Sequence, residues 1–213
     1  MKKQLIFTGI GALLVISLFF GGNIVPKKIE QPTASKKEAK LFNINGFIKE
    51  AKQKLTPAQL TYLANLENTV TRGDVTTQQI QANTALANFW KDTTKAFEPY
   101  IFYLSEASKL DNSEKNLTFA AQLILANLRS EQDEAKLNWE TEQAIGLFEQ
   151  ALKLNPTSAD LKIGLGSCYI FGKGRFGGAA ETMQGVQKVL EVVRTDSMNM
   201  KAQLVLGIGG YIS

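Results

Sequence analysis

Residues 143–169, QAIGLFEQALKLNPTSADLKIGLGSCY, place two helix-forming segments on either side of a proline turn. Ala144, Phe148 and Ala151 stand four and three residues apart, so one helix face carries all three. Pro156 cannot continue that helix, which therefore stops at the Asn155-Pro156 turn. Leu165, Gly166 and Tyr169 then form a second cluster of small and large residues. Gly166 would let a neighbouring helix approach closely. Any fold for this chain must accommodate a hairpin of this kind.

The pattern recurs. EASKLDN at 106–112 echoes EQALKLNP at 149–156, and VVRTDS at 192–197 is a degraded third copy. Ala107, Ala151 and Val192 are the equivalent positions of the three copies, and the two intervals between them are nearly equal. The step from Ala151 to Gly166 is the same as the step from Val192 to Gly207. The turn between units is thus constant, and any extra length is expected inside each hairpin, near 129–139 and 171–183. Insertions there cost little, whereas insertions at a stacked turn would break packing.

This arrangement resembles the tetratricopeptide repeat, W-x2-L-G-x2-Y followed by A-x3-F, A and P, with a period of about 34 residues. Both intervals in this chain are longer than that period, which the additions inside the hairpins account for. The match is strongest at 143–169; the 79–110 hairpin departs from it, with Tyr100 where a small residue belongs. The resemblance implies an all-α fold of antiparallel helical hairpins stacked as a right-handed solenoid. Leu206-Gly207 opens another unit before the sequence stops at Ser213, so a continuing C-terminus is expected.

Three regions follow: 1–25, 26–41 and 42–213. Leu5 and Val25 bound a run without a charge, long enough as a helix to cross roughly 30 Å of hydrocarbon. No small-x-small cleavage site follows, so the run reads as an uncleaved anchor rather than a removed signal. Lys2 and Lys3 before it have the look of a bacterial export signal. Lys27, Lys28, Lys36, Lys37 and Lys40 on the far side pull the other way by the positive-inside count. The favoured expectation is a single-pass inner-membrane protein with its repeats in the periplasm. Residues 26–41, polar and lysine-rich with two prolines, read as a solvated tether.

Helix signals then succeed one another. Ile44, Phe47, Ile48 and Ala51 share one side of a short amphipathic segment. Thr56 and Gln59 form a capping box with Pro57 at the first helical position, opening a helix carrying Leu60, Leu63, Leu66 and Val70. Thr76 and Gln79 have the spacing of a second box. A further helix is expected over 96–110, and Ser113 can cap the next, with Leu117, Phe119, Ala120, Leu123, Leu125 and Leu128 as its apolar residues. Trp90 and five other aromatics crowd residues 89–103, mostly as core.

The chemistry-bearing signals are sparse. There is no histidine and a single cysteine, Cys168, which excludes an internal disulfide and a multi-cysteine zinc site. Cys168 reads as a structural thiol. GKGRFG at 172–177 satisfies G-x-G-x-x-G, but a helix precedes it where a dinucleotide site needs a strand, so a flexible turn is expected. Lys173 and Arg175 remain available there to an anionic partner. Glu131, Asp133 and Glu134 lack the glycine of a calcium loop and read as solvated. The net charge of +4 is concentrated beside the apolar run, leaving no nucleic-acid footprint. No catalytic residue, cofactor or metal is expected.

The expected function is that of a membrane-tethered protein–protein interaction scaffold, resembling bacterial envelope proteins that carry such repeats. By that resemblance, a concave face would present Asn116, Phe119, Leu123 and Asn127 from one unit and Asp160, Ile163, Ser167 and Ile170 from the next to a peptide or protein. Few basic residues lie among them, so a carboxylate-clamp mode is not expected. The alternative is an accessory subunit of an envelope enzyme, a secretion machine or a cytochrome c biogenesis machine.

Overall fold

The computed structural model describes residues 41–72 and 75–212. The expected anchor and most of the tether lie outside them. Among the described residues no helix is long and apolar enough to cross a membrane. They are helical throughout, with no strand: α1 (Ile44–Lys52), α2 (Pro57–Arg72), α3 (Thr76–Phe89), α4 (Phe97–Asp111), α5 (Glu114–Leu128), α6 (Glu134–Leu154), α7 (Ala159–Cys168), the single turn α8 (Gly174–Gly177), α9 (Ala179–Thr195) and α10 (Met200–Ile212). A π-helical turn extends α3 over Trp90–Thr94, and another extends α7 over Tyr169–Lys173.

Local chemistry sets most of the boundaries. The Asn43 side chain accepts from the Gly46 amide at 3.0 Å to start α1. Thr56 and Gln59 form the reciprocal box: Thr56 N–H donates to Gln59 Oε1 at 2.8 Å, and Gln59 N–H donates to Thr56 Oγ1 at 3.4 Å. Ser113 and Ser158 cap α5 and α7 through the amides three residues on. Asn112 ends α4 in the left-handed region, φ 49°, which asparagine tolerates better than most residues. One expected cap is absent. Val75 is the residue before α3, extended at φ −101° and ψ 112°, so Thr76 is already helical and cannot act as the cap.

Consecutive helices pack as antiparallel neighbours: α3 with α4, α5 with α6, α7 with α9. The first helices of successive hairpins also touch, α5 with α7 and α7 with α10. The largest core lies between α5, α6 and α7, where Leu117, Ile124, Leu128, Ala144, Phe148, Ala151 and Leu161 are fully or almost fully buried. Phe148 alone contributes roughly 1.5–3 kcal/mol by burial. A second core joins Ile163, Ile170, Val189 and Val192 to Ala202 and Val205 of α10. A third gathers Ile48, Leu63, Leu86, Trp90 and Tyr103. Beside it, Lys52 and the Tyr103 hydroxyl both donate to Glu67, at 2.7 and 3.1 Å, tying α1, α2 and α4 together.

Gly166 does what its position promises. A Cβ there would lie 2.6 Å from Val189 Cγ2 and 2.8 Å from the Gly185 carbonyl oxygen. The converse also holds, since a Cβ on Gly185 would come within 2.5 Å of the Gly166 carbonyl oxygen. Helices α7 and α9 therefore cross backbone to backbone.

The extra residues in each hairpin are ordered into helix rather than looped out. In the first, only residues 129–133 are non-helical; Asp133 accepts from the Lys136 amide at 3.0 Å and buried Leu137 anchors the opening turn of α6. In the second, GKGRFG is no flexible turn. Gly172 is buried against Thr141 of α6, too close for any side chain, and the chain breaks only at Gly178, φ 92°.

Candidate functional site

The eight residues expected on a concave face do not share one. On α5, Phe119 is 57% exposed and Leu123 half-buried. Asn116 is exposed, its side-chain amide donating to Asp111 at 2.8 Å. Asn127 is turned inward to Glu140. On α7, Ile163, Ser167 and Ile170 are buried. Ile163 and Ile170 are covered by α10 and α9, and the Ser167 hydroxyl donates to the Ile163 carbonyl at 2.8 Å. Asp160 is exposed and accepts from Lys201 of α10 at 2.6 Å. The α7 half of the expected face is thus a helix–helix interface within the fold. Short-range pattern does not show this, because the cover comes from α9 and α10, both formed by later parts of the chain.

The same register identifies where the surface reopens. Equating Gly166 with Gly207 makes Leu204 the counterpart of Ile163 and Tyr211 the counterpart of Ile170. Ile163 and Ile170 are 1% and 0% exposed, whereas Leu204 and Tyr211 are 62% and 91% exposed. Met200, Gln203, Leu204, Gly207, Ile208 and Tyr211 line a shallow, almost wholly apolar hollow along α10. Where Gly166 meets α9, a Cβ on Gly207 would meet nothing within 4 Å among the described residues. Leu204 and Tyr211 carry the signal in the sequence, as apolar residues at the spacing of a buried pair.

Glu98 of α4, Asn127 of α5, and Lys136 and Glu140 of α6 form a separate polar cluster. Glu140 is fully buried, and Asn127 Nδ2 lies 3.1 and 3.0 Å from its two carboxylate oxygens. Burial pushes the Glu140 carboxyl up to about 7, with Glu131 and Glu98 adding to the rise while Asn127 and Lys136 oppose it. Lys136 is itself ion-paired to Glu98. This carboxyl stands on α6 between Leu137 and Ala144 of the core, so it serves the fold. No group of three or more metal-ligating side chains occurs among the described residues.

Lys173 and Arg175 are both engaged within the fold. Lys173 pairs with Glu142 at 2.8 Å. Arg175 donates to the carbonyls of Leu128 and Glu131, at 2.9 and 2.8 Å, closing the end of α5 from the neighbouring hairpin. Arg175→Ala should leave both carbonyls without that cation and cost about 2 kcal/mol. Amide exchange in residues 129–133 should quicken with it; unchanged urea stability and exchange would show the clamp to be idle. Cys168 is fully buried, and burial pushes its thiol well above the usual range, which suits a packed structural residue.

No family model, curated protein or solved structure matches this chain.

Proposed function

We propose that the chain is a protein-binding module of tetratricopeptide type, held at a membrane by residues 5–25 and without chemistry of its own. The observation that carries this reading is the apolar face of α10. Met200, Leu204 and Tyr211 are 76%, 62% and 91% exposed and lie on one helix with Gly207 between the last two. Scattered apolar residues are ordinary on a protein surface, whereas Met200, Leu204 and Tyr211 stand together along one apolar hollow, which supports association there. Hairpin stacking supplies a rigid platform, since α10 is fixed from below by Ala202 and Val205 in the second core. Phe119 and Leu123 on α5 offer a smaller apolar patch to the same or another protein.

A photo-crosslinking residue at Leu204 in the full chain tests this in membranes of expressing cells. A crosslinked protein adduct is expected, with little or none from the same residue at exposed Lys115 of α5. Equal background yields at the two sites would remove the reading.

A further inference from the structure

We infer that the cavity between α1, the start of α2 and the π-helical turn after α3 is a binding site for a small apolar carboxylate. It is separate from the α10 surface and stands or falls without it.

The cavity has a volume of about 350 Å³, at the lower end of small-ligand pockets. Phe47 and Ala51 of α1 and Leu55 of the following turn line it and are half-buried, so they make an apolar floor. Lys54 and Thr93 are exposed and stand at its rim, with half-buried Gln59 of α2 between floor and rim.

The polar groups decide the charge of the ligand. The neighbouring Lys52 is paired with Glu67 at 2.7 Å, whereas Lys54 has no ion-pair partner among the described residues. Gln59 Oε1 is taken by the Thr56 amide and hydroxyl, at 2.8 and 3.0 Å. Its NH2 group has no hydrogen bond among the described residues, and neither has the Thr93 hydroxyl. The next residue, Thr94, is by contrast satisfied, its hydroxyl donating to the Trp90 carbonyl at 2.9 Å. An ammonium, an amide NH2 and a hydroxyl thus offer donors around one cavity, and no carboxylate lines it. Such a set fits an anionic group with two acceptor oxygens and gives a cation no counter-charge. The floor then takes a short hydrocarbon body.

The backbone at the rim is unusual in two respects. Trp90–Thr94 is a π-helical turn, a form that recurs at functional sites. Lys95, directly after it, is left-handed at φ 54°, at a cost that glycine would avoid. Strain of this kind gathers at ligand clamps, and here it fixes the course of the chain beside Thr93.

The test titrates the full chain, in lipid nanodiscs, with 4-methylpentanoate and separately with 4-methylpentanamide, which has the same body without the charge. Hydrogen exchange over residues 47–59 and 90–96 should slow with the carboxylate, with a midpoint in the millimolar range. The amide should need about tenfold more. Exchange in α10 should not change. Lys54→Gln should weaken the carboxylate about fivefold and leave the amide as it was. Lys49→Gln, exposed on α1 and outside the cavity lining, should alter neither. Both lysines are exposed, so the fold tolerates both changes.

Equal midpoints for acid and amide would leave only an apolar hollow and overturn the inference. Equal effects of the two lysine substitutions, or none from Lys54→Gln, would overturn it as well, since the anion would then be held by no particular side chain. So would an absence of protection by either compound up to about 50 mM. Each of these results would leave the crosslinking expected at Leu204 untouched.

Discussion

Gly166→Leu is expected to loosen α9 and α10 from α7 and to lower the unfolding free energy by about 3 kcal/mol or more. The Cβ of any residue at this position would meet the Gly185 carbonyl oxygen at 2.8 Å as well as Val189 Cγ2 at 2.6 Å. A side chain can rotate away, but a backbone carbonyl cannot, so the two helices must separate. Separation strips contacts from Val189, Val192, Ala202 and Val205 together, since all four belong to one core. Alanine at the same position should already cost about 2 kcal/mol. Gly146→Ala is the matched control. Gly146 lies on α6 with nothing within 4 Å of a Cβ, so alanine there should stabilise by up to about 1 kcal/mol. Urea denaturation of the three variants reads the contrast; a loss below about 1 kcal/mol for Gly166→Leu would mean that the crossing yields without the strain expected of an overpacked site.

The second large effect is a dependence on pH. Glu140 has its carboxyl raised from the ordinary 4.5 to about 7 in the folded chain, first because it is buried and then because Glu131 and Glu98 lie near. The folded state therefore holds this proton more tightly than the unfolded one. Its contribution to stability is complete below about pH 4.5, falls as pH rises through 7, and is gone above that. The loss amounts to about 3 kcal/mol for this group. Glu140→Gln keeps the shape and leaves an amide that can exchange hydrogen bonds with Asn127 without a charge to bury. The variant should be more stable than the parent at pH 8 by roughly that amount and nearly equal to it at pH 4. Parallel stability–pH curves for the two proteins would show that the carboxyl stays charged and satisfied in place.

What could be read from the sequence was what short-range chemistry decides. Ser113 and the Thr56–Gln59 pair act within three residues, so their caps follow from the residues themselves. Pro156 and Gly166 also act where they stand. Thr76 failed as a cap because Val75 is already extended, a backbone choice that the Thr-x-x-Gln spacing does not determine. The burial of Ile163, Ser167 and Ile170 was hidden for a different reason. It depends on α9 and α10, helices formed by later parts of the chain, and the resemblance ranks those positions by a repeat that ends in an open face. GKGRFG misled because glycines serve close packing as readily as flexibility, and only Thr141 on α6 shows which applies to Gly172. Phe119 and Leu204 stayed legible as apolar residues, but nothing local separates an apolar residue destined for a core from one left in water.

The Arg175 clamp has a bearing on how this chain can change length over generations. The guanidinium reaches from the extension after α7 to the last carbonyls of α5 and its following turn, 47 and 44 residues back. The two stretches are the ones expected from the sequence to hold the extra length of their hairpins, and they meet at this one side chain. A deletion in either would pull the arginine off its carbonyls unless the other shortened as well. Their lengths are then expected to vary together: relatives of this chain should gain or lose residues at both places, and those with only one change should lack an arginine at this position.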